Sequence, residues 1–296
     1  MIRFVNAKIN LGLNILSRRN DGYHNLETLF YPVGRFNGTP LNPEPFCDIL
    51  EINFAKDERE DSFFFSGNRI DCPLQKNLVY KAVRAFRDAS DKKGLSIPPL
   101  TVTLEKHLPD AAGLGGGSAD ATFTLLLLNE LLGDPLDRET MHSLAVRLGA
   151  DCPFFLENSP VLASGIGEIM QPADIDLSGY WCIIVKPDIQ ISTKEAFAGI
   201  TPAEPEIKIR DIIGFPVEEW REKGLSNDFE RHLFERYPLL ARIKEELYLC
   251  GALYASMSGS GSSLFGIFRD RREADAAISK LTLILPESCR HYLCLL

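Results

Sequence analysis

The chain of 296 residues is long enough for one large domain or two domains of ordinary size. Hydrophobic residues make up 45% and charged residues 25%, which is the balance of a folded globular protein. The formal net charge of −9 argues against a nucleic-acid-binding protein, although an acidic protein can still hold a small anion in a local nest of amides.

The seven cysteines give no sign of a disulfide framework or a zinc site, because their number is odd and no C-x-x-C pair occurs. We therefore expect reduced thiols in a cytoplasmic protein. The longest apolar run, at about residues 121–132, is interrupted by polar residues and is too short to cross a bilayer. The first residues lack the pattern of a signal peptide, so we expect neither a membrane nor a nucleic acid as a partner.

Hydrophobic periodicity predicts a mixture of strands and helices along the chain. Alternating polar and apolar residues predict strands, and apolar residues at helical spacing predict helices. In chain order, strands are predicted over 1–16, 26–33, 49–54, 62–66, 100–104, 181–185 and 264–268. Helices are predicted over 77–89, 119–132, 137–148, 193–199, 228–236, 238–250 and 272–281. Proline-rich stretches at 34–45 and 201–216 are predicted to be loops.

The order of these elements indicates the fold class. Strands and helices do not alternate regularly, which favours an α+β fold over a doubly wound parallel sheet. The composition changes near residues 160–165, so we place a boundary there between an N-terminal domain (1–160) and a C-terminal domain (161–296).

A glycine-rich stretch, Gly113-Leu114-Gly115-Gly116-Gly117, precedes the apolar helix predicted over 119–132. Glycine in such density costs backbone entropy, so we expect a ligand to approach this backbone closely. The amides of residues 115–118 would face a polyphosphate where the helix dipole adds partial positive charge. Ser118 and Asp120 lie near this helix start and could cap it or hold Mg²⁺ together with the phosphates.

Other interpretations of the glycine stretch are weaker. A tight turn without a ligand would need only one or two glycines. A dinucleotide-binding fingerprint would need a third glycine at Ser118 and an acidic residue closing a second strand, where residues 133–135 instead end a helix. The stretch also lacks the Gly-Lys-Ser/Thr of a Walker A loop, and a helix follows it where a protein-kinase loop has a strand. The residues alone therefore indicate nucleotide phosphates on a non-Walker loop.

Three further positions could carry chemistry. Lys8 lies in an apolar strand with Asn10 on the same face, although an exposed lysine on an edge strand would give the same pattern. Asp151 stands between a glycine and a proline, as a turn residue or as a general base for an alcohol. A lysine beside an aspartate would favour the ionised carboxylate. Residues 257–263 could be a flexible loop or a second backbone cradle for an anion.

Together these segments resemble the GHMP kinase superfamily. Its middle motif is represented here by Pro109-Asp110-Ala111-Ala112-Gly113-Leu114-Gly115-Gly116-Gly117-Ser118-Ala119, and its third motif by Met257-Ser258-Gly259-Ser260-Gly261. Other segments are similar to the branch of the superfamily that phosphorylates 4-diphosphocytidyl-2-C-methyl-D-erythritol. They are Ala7-Lys8-Ile9-Asn10-Leu11, Arg19-Asn20-Asp21-Gly22-Tyr23-His24, residues 149–155 and Asn227-Asp228-Phe229-Glu230.

The resemblance implies a two-domain α+β kinase with a ribosomal-protein-S5-like N-terminal domain and a ferredoxin-like C-terminal domain. It implies ATP and Mg²⁺ as cofactors, with residues 109–119 around the ATP phosphates. It further implies that Asp151 takes the proton of the 2-hydroxyl of the methylerythritol unit, while Lys8 stabilises the transferring phosphoryl group. The small-molecule substrate would be bound by Asn10, Tyr23, His24, Phe197, Gly259 and Ser260, with aromatic rings on both sides of its cytosine.

Two features depart from the resemblance. Ala111 stands where related proteins often have glycine, and the connection over 34–48 is longer than expected. Three alternatives to this reaction stay open on the residues: a GHMP kinase for another alcohol, a non-catalytic nucleotide-binding regulator on the same fold, and a nicotinamide-dependent oxidoreductase.

Overall fold

A computed structural model describes residues 1–35, 46–56, 59–70 and 72–296, and the strands of this part of the chain form two sheets. The strands are β1 (Ile2–Arg18), β2 (His24–Val33), β3 (Cys47–Phe54), β4 (Ser62–Gly67), β5 (Leu100–Lys106), β6 (Val161–Ser164), β7 (Ile169–Pro172), β8 (Trp181–Lys186), β9 (Tyr254–Met257), β10 (Leu264–Phe268) and β11 (Arg290–Leu295). The first sheet has the order β4-β5-β3-β1-β2-β6-β7, and the second has the order β11-β8-β10-β9.

The helices begin where the sequence supplies a capping side chain in several cases. The Asn77 side chain accepts a hydrogen bond from the amide of Val79, and Asp137 accepts one from Thr140, so α1 and α3 start directly after these residues. The helices are α1 (Leu78–Lys92), α2 (Gly116–Leu131), α3 (Arg138–Leu148), α4 (Phe154–Glu157), α5 (Thr193–Ala198), α6 (Ile209–Ile212), α7 (Glu230–Arg236), α8 (Pro238–Leu249) and α9 (Arg271–Ile284).

Strand β1 connects the two halves of the molecule. Its first residues pair with β3, and residues from Ala7 onward pair with β2, both antiparallel. The register shifts between Leu11 and Leu13, where Gly12 has a φ of +75°, a conformation that favours glycine. Beyond this bulge Leu13 pairs with Asn227 of the C-terminal half. The strand therefore carries its Lys8–Asn10 segment into the junction between the halves.

Three apolar clusters stabilise the fold. Helices α1 and α2 pack on the first sheet, and α2 is apolar on nearly every face because it is buried, with Ala121, Leu125 and Leu128 fully covered. The second cluster joins α8 and α9 to the second sheet. The third includes Ile9 of β1 and Phe265 of β10, so the two sheets share a core beside the junction. Burial of each such side chain contributes about 1.5–3 kcal/mol.

The mixed sheets and helices confirm the α+β class, and most predicted elements are present. Helix α2 begins earlier than predicted, inside the glycine run. The prediction of a loop over 201–216 was wrong at residues 209–212, which form the short helix α6. Short elements that the periodicity did not reveal are β6, β7, β9, β11 and α4.

Strands β6 and β7 pair with the first sheet, so the chain passes from one sheet to the other between Pro172 and Trp181. The division into domains 1–160 and 161–296 stays a prediction. Residues 36–45 of the predicted long loop lie outside the described residues. Among the described residues, no helix combines the length and apolar character needed to pass through a membrane.

Candidate active site

Residues 107–115, here called the glycine loop, lead from β5 into α2. Glycine is needed at some positions of the loop and of the helix start for different local reasons. Gly113 has a φ of +75°, and a Cβ atom there would clash with the carbonyl oxygen of Ser258. Gly115 has a φ of +71° and precedes the first residue of α2. Cβ atoms on Gly116 and Gly117 would make only ordinary contacts, at 3.6 Å. Gly113 is therefore required by a neighbouring backbone, whereas the glycines after Gly115 leave the helix start uncovered.

The start of α2 offers free backbone amides. No side chain caps this helix, since Gly115 is its N-cap residue, so the expectation that Ser118 or Asp120 would cap it was wrong. The first amides of a helix have no acceptor within it, and the helix dipole adds partial positive charge there. Residues Gly115 to Ser118 are only partly buried. The arrangement suits an anion such as a phosphate group.

Lys8 is buried directly beside this loop, at 3% exposure. Its Nζ donates hydrogen bonds to Asn10 Oδ1 at 2.7 Å and to the carbonyl oxygen of Gly113 at 3.2 Å. It also lies 4.8 Å from the ring centroid of Phe30, a cation–π distance. The backbone amide of Lys8 donates to Leu114 O at 2.9 Å. Strand β1 thus holds the Lys8 ammonium group in place and also binds the backbone of the glycine loop.

Asp151 completes an ion pair with Lys8. Its Oδ2 lies 3.4 Å from Lys8 Nζ, and its side chain is 34% exposed. It follows α3 in a turn, and Thr122 of α2 donates a hydrogen bond to the next carbonyl, Cys152 O, at 2.9 Å. Both members of the pair line a cavity of about 450 Å³ between the two halves of the molecule. The predicted pairing of Lys8 with Asp151 is therefore present in the structure, and the carboxylate reaches the cavity.

Asn10 and the segment 257–261 meet at the same point. Asn10 Nδ2 donates to Thr28 Oγ1 at 2.9 Å, and its Oδ1 accepts from Lys8. Ser258 Oγ donates to Gly113 O at 2.8 Å. Gly259, with a φ of +55°, and Ser260 line the cavity. Asn10 also lines the cavity but is only 1% exposed, and its side-chain oxygen orients the Lys8 ammonium group.

The part of the cavity lined by Phe197 and Phe229 is its aromatic end, and His24 stacks on Phe197 beside it. The rings of His24 and Phe197 are stacked, with centroids 4.9 Å apart and planes inclined by 20°. A base between them would need two contact distances of about 3.5–4.0 Å each, so these two rings leave no room for one in this arrangement. Tyr23 is 60% exposed. The structure thus brings Phe197 to His24, and leaves Tyr23 outside the stack.

A second cavity, of about 380 Å³, lies at the other end of the glycine loop and was missed by the sequence reasoning. Its lining includes Phe63, Phe65 and Ile70 together with Asn68. Asn68 Nδ2 donates to His107 O at 2.8 Å, at the start of the loop. The sequence predicted only a short aromatic strand here. The cavity was missed because its lining combines residues of β4 with residues that follow it, up to Asn77.

Behind the start of α2 lies a buried triad of charged residues, Asp48, Lys106 and Asp120. Lys106 Nζ contacts carboxylate oxygens of both aspartates, at 2.7 Å for Asp120 Oδ2. Asp48 also accepts hydrogen bonds from the backbone amides of His107 and Leu108. Burial raises the pKa of Asp120 to about 8, with Lys106 opposing the shift and Asp48 adding to it. Asp120 Oδ1 is buried and has no hydrogen-bond partner among the described residues. Asp120 therefore belongs to the support of the loop.

A larger cavity of about 700 Å³ lies away from these groups. Its lining mixes acidic and basic side chains, among them Glu206, Asp228 and Arg231, and includes neither Lys8 nor Asp151. The cavity with the ion pair and the glycine loop is the candidate active site, because it combines a carboxylate, a buried ammonium group and free amides.

Comparison with known proteins agrees with this geometry. The family model described as GHMP kinases N terminal domain matches residues 77–158, and the model described as GHMP kinases C terminal matches residues 217–285. A 4-diphosphocytidyl-2-C-methyl-D-erythritol kinase of Parabacteroides distasonis is 49% identical over 90% of this chain and 92% of its own. One of Porphyromonas gingivalis is 46% identical over 94% and 95%.

The fold comparison gives the same relation. The crystal structure of a 4-(cytidine 5'-diphospho)-2C-methyl-D-erythritol kinase superposes with a TM-score of 0.79 at 28% identity, covering 99% of this chain and 98% of the other. A homoserine kinase from Cytophaga hutchinsonii, at 16% identity and a TM-score of 0.67, shares the fold.

Proposed function

Since the chain belongs to the GHMP kinases, and within them to the 4-diphosphocytidyl-2-C-methyl-D-erythritol kinases, we propose that it transfers the γ-phosphoryl group of ATP to the 2-hydroxyl of 4-diphosphocytidyl-2-C-methyl-D-erythritol. This small-molecule kinase reaction belongs to the non-mevalonate route to isoprenoid precursors. The observation that carries the proposal is the ion pair between Lys8 and Asp151 at the junction of the glycine loop and the cavity.

The nucleotide fits along the glycine loop. Its phosphates would accept hydrogen bonds from the uncapped amides of residues 115–118 at the start of α2. Its base would enter the cavity of about 380 Å³, where Phe63, Phe65 and Ile70 offer apolar and aromatic surface. This cavity adjoins the helix start, because Leu78, next to its lining residue Asn77, lies 3.6 Å from the Cβ position of Gly117.

The transfer step uses the two charged side chains. Asp151 accepts the proton of the attacking hydroxyl while the new bond forms between that oxygen and the γ-phosphorus and the bond to the β-phosphate oxygen breaks, releasing ADP. The Lys8 ammonium, held by Asn10 and Gly113 O, stabilises negative charge on the transferring group. Since Lys8 is buried and fixed by these bonds, little reorganisation is needed during the step.

The cytidyl end of the substrate would lie at the aromatic end of the cavity. Tyr23 offers an exposed ring face for stacking, and His24 and Phe197 form the adjacent aromatic surface. Gly259 and Ser260 would contact the diphosphate or the sugar alcohol between the two ends. The cytosine would stack either on the exposed Tyr23 ring or on Phe197 after the His24 ring has moved aside.

A Mg²⁺ ion bound with ATP would neutralise part of the phosphate charge. Within the described ranges, no cluster of three or more His, Cys, Asp or Glu side chains could hold a metal ion, which suits an ion held mainly by phosphate and water oxygens. Ser118 is the residue at the start of α2 that could add a hydroxyl ligand. Asp120 is not available for this role, because its carboxylate is buried against Lys106.

The experiment that tests the proposal is ADP release by the purified protein with three acceptors. We expect turnover with 4-diphosphocytidyl-2-C-methyl-D-erythritol and at least about a hundredfold lower kcat/KM with the uncytidylylated 2-C-methyl-D-erythritol, because base stacking contributes about 1–3 kcal/mol and the diphosphate adds further contacts. Homoserine should not react. Equal turnover of the plain polyol would favour a kinase for another alcohol. Thermal stabilisation by NAD and not by an ATP analogue would contradict the proposal.

The same assay tests the residues. Asp151→Asn keeps the size of the side chain and removes the base, so we expect a loss of kcat of about 10²–10⁴-fold. Asp134→Asn, a change of the same type at the loop after α2, should leave kcat unchanged. An Asp151→Asn variant with wild-type turnover would remove the general-base role. We also propose that the enzyme works in the cytoplasm, where ATP is available.

A further inference from the structure

The segment Asn227-Asp228-Phe229-Glu230 precedes and begins α7 and has no part in the reaction described above. Asn227 is only 2% exposed; it lines the cavity of about 700 Å³, and its side chain bonds to Gly259 and Phe229, which both line the active-site cavity. A buried carboxamide at such a junction must find partners for its polar atoms, because an unpaired buried donor costs about 1–3 kcal/mol. Its partners therefore show what it holds together.

The Asn227 side chain makes three hydrogen bonds, all to backbone groups. Its Nδ2 donates to Met257 O and to Gly259 O, both at 2.8 Å. Its Oδ1 accepts from the amide of Phe229 at 3.0 Å. A carboxamide provides two donors and an acceptor at once, which neither a carboxylate nor a hydroxyl can do. One side chain thus fixes the glycine turn and the start of the Phe229 segment relative to each other.

On one side, the turn bears directly on the catalytic lysine. Ser258 Oγ donates to Gly113 O, the same carbonyl that accepts from Lys8 Nζ. The backbone amide of Asn10, whose Oδ1 is the other acceptor of Lys8, donates to Ser258 Oγ at 3.3 Å. The position of the turn therefore sets the position of both groups that orient the ammonium.

On the other side, Phe229 supports the aromatic end. Its ring meets Phe197 edge to face, with centroids 4.9 Å apart and planes at 87°, and Phe197 in turn stacks on His24. The segment is also fixed to β1, because Leu13 N donates to Ser226 O at 2.9 Å and Asp228 N donates to Leu13 O at 2.8 Å. Both ends of the cavity therefore depend on one short piece of backbone.

We infer that Asn227 is a positioning residue that sets the distance and orientation between the aromatic end of the active site and the Lys8 ammonium. It touches neither substrate nor nucleotide, and it acts through Gly259 on one side and Phe229 on the other. The identity of the substrate at the aromatic end rests on the proposed function. The Asn227 side chain bonds to the turn at 257–261 and to Phe229 but not to the amides of residues 115–118, so we expect nucleotide binding to depend on it less than alcohol binding does.

The control is Asn129 near the C-terminal end of α2, whose side chain also makes three hydrogen bonds, two with the Leu136 backbone and one with the Asp134 carboxylate. Its Nδ2 donates to Asp134 Oδ1 and Leu136 O, both at 3.1 Å, and its Oδ1 accepts from Leu136 N at 3.0 Å. Asn227→Asp and Asn129→Asp are the same isosteric change, and each removes two donors that hold a loop. Only Asn227 lies beside the active-site cavity.

The test is steady-state kinetics together with hydrogen–deuterium exchange. We expect Asn227→Asp to lower kcat about tenfold or more and to raise KM for 4-diphosphocytidyl-2-C-methyl-D-erythritol severalfold, while KM for ATP changes less than about twofold; a tenfold effect is the size of one lost hydrogen bond. In the same variant without ligands, peptides covering residues 257–263 should exchange faster. Asn129→Asp should leave the kinetic constants within about twofold and the exchange of 257–263 unchanged.

Several results would overturn the inference. They are kinetic constants for Asn227→Asp that match those of Asn129→Asp, a KM for ATP that rises as much as the KM for the alcohol, or unchanged exchange at 257–263. If Asn227→Asp does not fold, Asn227→Ser, which keeps one donor, is expected to show the same split at smaller size, and wild-type constants would reject the inference. If the wild-type protein does not phosphorylate this alcohol, the proposed function falls, and the exchange of 257–263 alone decides the positioning role.

Discussion

The Cα of Gly113 faces the carbonyl oxygen of Ser258 so closely that even a methyl group would not fit between them. The two residues come from opposite halves of the chain, and Ser258 Oγ also donates a hydrogen bond to Gly113 O. This contact joins the glycine loop to the turn at 257–261, and Lys8 Nζ donates to the same carbonyl. The glycine loop is therefore held in shape by contacts with the C-terminal half of the chain.

Gly113→Ala is expected to destabilise the protein and to reduce activity. The added methyl would have to displace the Ser258 backbone, and the φ of +75° is unfavourable for alanine, so we expect a loss of at least about 2 kcal/mol in the free energy of unfolding. Urea denaturation measures it. Gly117→Ala is the control, since its methyl has room and alanine favours the helix, with an expected gain of up to about 1 kcal/mol. Equal stability of the two variants would contradict the close contact.

Asp120→Asn should flatten the dependence of stability on pH. Burial raises the pKa of Asp120 to about 8 in the folded protein, so between about pH 4 and 8 the folded state binds more protons than the unfolded state. The stabilisation is fully present below pH 4 and is lost as the pH rises through 8. Asparagine cannot titrate. When the pH is raised from 5 to 8, the variant should therefore lose less of its free energy of unfolding than the wild type loses, by on the order of 1–3 kcal/mol.

Urea denaturation at several pH values between 5 and 8 measures this effect. Asp137→Asn provides the contrast, because the amide of Thr140 lowers the pKa of that exposed carboxylate. Its contribution is present above about pH 4 and is lost only as the pH falls further. A pH profile of Asp120→Asn parallel to that of the wild type would show that Asp120 is ionised throughout.

The sequence predicted the parts of the site better than their arrangement. Local spacing located the helix that follows the glycine loop, and the resemblance predicted that Lys8 and Asp151 pair, as they do at 3.4 Å. The sequence could not show why Gly113 is glycine, because the reason is a carbonyl oxygen 145 residues away. The uncapped N-terminus of α2 was not foreseen either. Ser118 and Asp120 were considered as capping residues, whereas Gly115 occupies the N-cap position.

The missed elements have a common physical cause. Strand β11 shows no alternation of burial, and β6 and β7 are four residues each, so pairing with neighbours and not periodicity determines them. The stack of His24 on Phe197 depends on two segments that are distant in the chain. The bonds of Asn227 could not be foreseen for the same reason, since its partner Met257 ends β9 and its partner Gly259 lies in the turn that joins β9 to β10.

Lys8→Met is expected to abolish most of the turnover while leaving nucleotide binding. Methionine fills the space of the alkyl chain but loses the charge, and removal of one preorganised group that stabilises transition-state charge typically costs 10²–10³-fold in kcat. The Kd of an ATP analogue should change less than about fivefold, because the amides of 115–118 are intact. Lys81→Met, at an exposed lysine on α1, is the control and should retain wild-type kcat. A loss of nucleotide affinity as large as the loss of kcat would make Lys8 a binding residue.

Tyr23→Ala should weaken binding of the cytidylylated substrate without affecting stability. Tyr23 is 60% exposed, and stacking on a base contributes about 1–3 kcal/mol, so we expect KM for this substrate to rise about 5- to 100-fold with an unchanged Tm. Phe197→Ala should raise the same KM and also lower Tm, because Phe197 packs on both His24 and Phe229. Phe64→Ala, at an exposed aromatic residue on β4, is the control and should change neither the KM for the cytidylylated substrate nor the KM for ATP. If Tyr23→Ala leaves the KM unchanged while Phe197→Ala raises it, the cytosine binds by displacing the His24 ring and not on the exposed face of Tyr23.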